Sequence, residues 1–87
     1  MNKEEIQVYI SIVESALSEI LIAERTIDKR KRDKAIREAK EKALGMVYPY
    51  KTMLIDICHM DNLGDELFDW GHLEGDLREV CDKLKEL

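Results

Sequence analysis

Apolar residues return every three or four positions through three long stretches of this chain, and that spacing dictates helices laid side by side. The first stretch is Ile6, Tyr9, Val13, Ala16, Ile20, Ala23 and Ile27. The second is Ile36, Ala39, Ala43, Met46, Tyr50, Met53, Ile57 and Met60, and the third Trp70, Leu73, Leu77, Val80, Leu84 and Leu87. On an α-helix such steps draw one seam down one face. The expected fold is all-α: an antiparallel three-helix bundle with coiled-coil-like packing, one domain over residues 1–87, with helices at 3–27, 33–61 and 65–87.

With 87 residues, the chain is near the size at which one core is barely sufficient. The first helix nevertheless carries more apolar residues than its seam needs. Val8, Ile10, Ile12, Leu17, Leu21 and Ile22 spread over its other faces. A helix apolar nearly all round has to be covered on several sides, so self-association is expected. No uninterrupted apolar run approaches the roughly 18 residues of a membrane span, and the N-terminus lacks the basic start and cleavage site of a secretory signal. Two cysteines, Cys58 and Cys81, are too few for a disulfide scaffold. A reduced, cytoplasmic protein without a membrane partner is expected.

The helix ends are marked unevenly. Asn2 is a candidate N-cap, with Glu4 and Glu5 in the favourable first turn. No Gly or Pro separates the first two helices, yet continuing the first seam from Ile27 would land on Lys34. The chain therefore turns within 28–33, with Asp28 or Asp33 as cap, or else runs on to Leu44 and turns at Gly45–Pro49. The first arrangement is preferred, with Pro49 kinking the second helix because the seam runs straight through it. Gly64 is placed as a left-handed C-cap and Asp65 as the next N-cap.

Charge is segregated behind a net of −5. Residues 25–42 hold nine Lys and Arg against four acids, whereas 61–87 hold nine acids against three bases. Lys29, Arg30, Lys31 and Arg32, with Arg37, form a candidate anion-binding segment, read as an anionic ligand, a nucleotide held between subunits, or an acidic protein surface. The acidic total and the want of interleaved aromatics weigh against nucleic acid. Asp65, Asp69, Asp76, Glu79 and Glu86, with His72 in the same line, form an acidic stripe on the third helix. Such like charges oppose helix formation unless neutralised. Beside the stripe, Phe68, Gly71 and Gly75 make a candidate partner contact, an aromatic anchor next to small residues that admit another helix. Trp70 and Tyr50 are assigned to the core.

Glu38, Glu41, Asp65, Glu66 and Asp69 are carboxylates that neighbouring helices can gather around Mg²⁺. The string Asn62-Leu63-Gly64-Asp65-Glu66-Leu67-Phe68 resembles the second metal motif of the all-α, MazG-like nucleotide pyrophosphohydrolases. That family pairs Glu-Glu-x-x-Glu on one helix with Glu-x-x-Asp on another. Here Glu38, Glu41 and Asp65 match, with Asp69 nearby, while Arg37 and Asn62 stand where the family has Glu. The resemblance implies metal-dependent nucleotide hydrolysis. Cys58, His59, His72 and Cys81 are four soft ligands without the spacing of a zinc site. The reading preferred on sequence is a non-enzymatic interaction module, a regulator, adaptor or inhibitor. It needs no cofactor or metal, its partners are another protein and itself, and nucleotide hydrolysis or anion binding are the alternatives.

Overall fold

The computed structural model describes residues 2–61 and 66–87, and among these it is all-helical with no strand. In chain order α1 spans Lys3–Glu24, α2 Lys29–Val47, α3 Lys51–Ile57 and α4 Leu73–Glu86. Short 3-10 turns at Tyr48–Tyr50 and Trp70–His72 lead into α3 and α4. α1 is the central element, with α2 and α4 both packed against it.

Asn2 caps α1 as expected, its side chain accepting the Glu5 N–H at 2.8 Å. The helix ends at Glu24, three residues short of Ile27. Thr26 N–H closes the last turn on Ala23 O at 3.2 Å. Asp28 then starts α2 by accepting from Arg30 N–H at 2.9 Å and Lys31 N–H at 3.3 Å. Side-chain oxygens can make a helix start with no glycine or proline in the linker, because they satisfy its orphan N–H groups. The turn between the first two helices thus lies at 25–28, and α2 begins at residue 29 rather than 33.

Pro49 acts where it was expected to. The α-helical ladder stops at Val47, the chain makes a 3-10 turn through Tyr48-Pro49-Tyr50, and α3 resumes at Lys51. Losing one donor and clashing one turn back favours this tighter path. α3 stops well before Gly64. His59, at φ 55°, takes the left-handed position after Cys58. Met60 N–H bonds Ile55 O at 2.9 Å and His59 N–H bonds Asp56 O at 3.4 Å, the two bonds of a Schellman stop. The proposed Gly64 and Asp65 caps lie outside the described residues. α4 begins at Leu73, so residues 66–72 are not the helix that the third seam implied.

The core is one cluster drawn from all the helices. Val13, Ala16 and Ile20 of α1, Ala43 and Val47 of α2, Leu54 of α3, and Leu73, Leu77, Val80 and Leu84 of α4 are at most 1% exposed. On α2 the buried line steps Ala39, Ala43, Val47, so Val47 takes the place expected for Met46. A straight α-helix drifts against a seven-residue repeat, and that drift selects the later residue. Past the 3-10 turn Leu54 and Cys58 are buried, whereas Met53 is exposed.

Three aromatic or apolar placements differ from the sequence reading. Phe68, taken as an exposed anchor, is 3% exposed and belongs to the core. Trp70, taken as core, is 41% exposed. Ile27, the last residue of the first seam, is 96% exposed because α1 has already ended. Tyr50 is half-buried, edge-on to Tyr9 with ring centroids 5.8 Å apart. By length and composition α1 also proves long and apolar enough to cross a membrane, with mean hydropathy 1.5. The core helix of a soluble protein meets the same criterion.

Candidate functional site

The acidic stripe does not act as one surface. Asp76 turns inward, and its Oδ2 accepts the Phe68 N–H at 2.8 Å. Phe68 sits at φ 64°, a strained conformation for a bulky residue. Burial of its ring and this charge-assisted bond hold it there. Asp69 lies 3.5 Å from His72 Nδ1, both side chains largely in solvent, and Glu79 is exposed. Asp65 is outside the described residues. Gly71 and Gly75 do not mark a close backbone approach within the chain. A Cβ at Gly75 would meet nothing within 4 Å, and one at Gly71 only Asp69 Oδ2 at 3.7 Å. Phe68 therefore offers no exposed anchor beside Gly71 and Gly75, because its ring is inside the protein.

The metal-ligand candidates are dispersed. Among the described residues no three of His, Cys, Asp and Glu gather closely enough to hold an ion, so Glu38, Glu41 and Asp69 do not form a cluster there. Cys58 and Cys81 are buried free thiols, and burial pushes both to higher pKa than an ordinary cysteine. Buried, protonated thiols are poor nucleophiles and poor ligands.

The basic segment faces solvent. Lys29, Arg30, Lys31, Lys34 and Arg37 are exposed, and Arg32 is half-buried. None of them, nor Arg25, makes an ion pair within 4 Å of an acid among the described residues. Asp28 spends its Oδ1 on the backbone of α2, and Asp33, exposed inside the segment, makes no ion pair among the described residues. The ion pairs lie elsewhere. Lys42 reaches Glu19 at 3.0 Å, and Lys85 reaches Glu14 at 3.2 Å.

Those two pairs define a surface that the seams do not reveal. Glu14 is drawn towards α4 and Glu19 towards α2. Between them α1 exposes Val8, Ser11, Ser15, Ser18 and Ile22, an uncharged line running about 21 Å at 1.5 Å per residue. Val8 is 57% and Ile22 63% exposed. Ser11, Ser15 and Ser18, flanked by Glu14 and Glu19, line a shallow depression of about 390 Å³. The line rises to an aliphatic side chain at each end and dips at three small residues between them.

A second depression of about 390 Å³ opens where α2 gives way to the 3-10 turn. Leu44, Gly45, Tyr48 and Pro49 line it with Trp70 and the Glu41 carboxylate. Lys40 Nζ lies 5.6 Å from the Trp70 ring centroid, and Lys51 Nζ 5.9 Å from that of Tyr48. The seam spacing does not reveal this notch, because it places Trp70 in the core. Its sequence signal is Tyr48-Pro49 at the break, where a 3-10 turn carries the following side chains off the helix face.

The site features thus belong to an all-α protein whose three packed helices expose an uncharged line, an aromatic-lined notch and a dense patch of bases without ion pairs among the described residues. No family model, no curated protein and no solved structure matches the chain. The pyrophosphohydrolase resemblance rests on its few quoted residues alone.

Proposed function

We propose that this protein is a small non-enzymatic interaction module, a cytoplasmic regulator, adaptor or inhibitor, that works as a homo-oligomer joined along the outer face of α1. The three packed helices are read as an antiparallel bundle. In support, Glu24 at the end of α1 lies beside Glu74 at the start of α4, while Glu14 meets Cys81 and Lys85 near its end.

The observation that carries the proposal is the uncharged Val8–Ser11–Ser15–Ser18–Ile22 line. Its neighbouring carboxylates are neutralised by lysines of the same chain, so a second copy meets no like charge at the centre. Three serines let two helix backbones approach closely, and the flanking aliphatic residues gain by leaving water. A surface that is its own complement is the normal basis of a two-fold dimer. Charge segregation then leaves the basic segment free for an acidic partner.

Sedimentation velocity on the wild type and Ser15→Arg tests this. The wild type is expected to sediment as a dimer or larger species, and Ser15→Arg as a monomer of unchanged helicity. A wild-type monomer at high micromolar concentration would contradict it.

A further inference from the structure

We propose that the turn joining α1 to α2 is a docking tip for an anionic lipid surface, with Ile27 as the inserted wedge and the surrounding bases as the headgroup contact. Ile27 is 96% exposed, more than any other large apolar side chain among the described residues, and its setting is held by hydrogen bonds on both sides. On one side Arg25 N–H bonds Ile22 O at 3.1 Å and Thr26 N–H bonds Ala23 O. On the other, the Asp28 carboxylate fixes the first turn of α2 through Arg30 and Lys31. The side chain is thus held out by structure at both ends.

Charge selects the surface. Arg25, Lys29, Arg30, Lys31, Lys34 and Arg37 are exposed around or behind this turn, where they outnumber the exposed acids Glu24, Asp28 and Asp33, and none is paired to an acid among the described residues. Each base near an anionic bilayer strengthens attachment about fivefold, an attraction that decays within a Debye length. A single aliphatic side chain with nothing packed around it cannot enclose a ligand, but it can enter a deformable interface. It also has no π-face on which a nucleobase can stack, and residues 25–37 contain no aromatic. The expectation of no membrane partner follows from the want of an uninterrupted apolar run. A peripheral contact asks instead for a wedge and a field of bases.

Flotation of the full chain with phosphatidylcholine–phosphatidylglycerol vesicles, against pure phosphatidylcholine vesicles, tests the assignment. Binding is expected only to the mixed vesicles, and to fall as salt rises. Ile27→Ser should weaken it about tenfold, and Arg30→Ala with Lys31→Ala by more than tenfold. All three substituted positions are exposed, and circular dichroism is expected to match the wild type. Equal binding to both vesicles, binding to neither, or an unchanged Ile27→Ser protein would overturn the proposal. Capture by duplex DNA that is indifferent to Ile27→Ser would reassign the bases to nucleic acid.

Discussion

Phe68 and Asp76 show how a local bond reverses the reading of two residues at once. Spacing put Phe68 on an outer face and Asp76 in an acidic stripe. The left-handed backbone at Phe68 turns its ring into the core, and Asp76 satisfies the N–H that this geometry leaves over. No periodicity encodes such a turn, because it depends on a contact across eight residues. Asp76→Ala is expected to cost about 2 kcal/mol in urea unfolding, the scale of a charge-assisted bond whose donor is left unsatisfied. A second residue-level effect is electrostatic. Partial desolvation and then the neighbouring Glu74 carboxyl raise the pKa of Glu24. A carboxyl whose folded pKa is raised loses stabilising effect as pH rises through the carboxylate range. Glu24→Gln should therefore gain on the order of a few tenths of a kcal/mol at neutral pH, as befits an exposed pair. Thermal melts should show that gain vanishing in acid.

At the scale of elements, the seams located α1, α2 and α4 well but misjudged where helices stop. Val13, Ala16, Ile20, Ala39, Ala43, Leu73, Leu77, Val80 and Leu84 are buried as their spacing required. Periodicity records which face is covered and is blind to the bonds that end a helix. α1 stops before Ile27, α3 ends at Ile57 with His59 rather than a glycine in the left-handed position beyond it, and the stretch before α4 is not α-helical among the described residues. Each of these ends moved a residue between core and surface, and hence between structural and functional readings. His59 is exposed and occupies a position that favours glycine. His59→Gly is expected to raise stability by about 1 kcal/mol, the cost of a left-handed residue with a Cβ. Denaturant midpoints with an unchanged slope would show it.

Across the whole molecule, 43 Å long and 25 Å by 19 Å across, the distribution of charge and apolar surface matters more than any single cavity. The expectation that α1 carries more apolar surface than two neighbours can hide was legible in the sequence. Which residues remain uncovered was not, because it depends on the faces of α1 against which α2 and α4 pack. The same holds for the tip. The bases are legible at once, but the seam spacing gives Ile27 a buried position that the end of α1 takes away. On this account α1 joins copies and the basic turn faces outward. Ser15 is the midpoint between Val8 and Ile22, so in a two-fold pairing along that line it meets its own copy. Both native cysteines are buried, which leaves an introduced thiol to report alone. The most direct measurement is oxidative cross-linking of Ser15→Cys beside Thr52→Cys, exposed on α3. The account predicts a covalent dimer from Ser15→Cys at concentrations where Thr52→Cys stays monomeric. No dimer from Ser15→Cys, or equal yields from both, would contradict it.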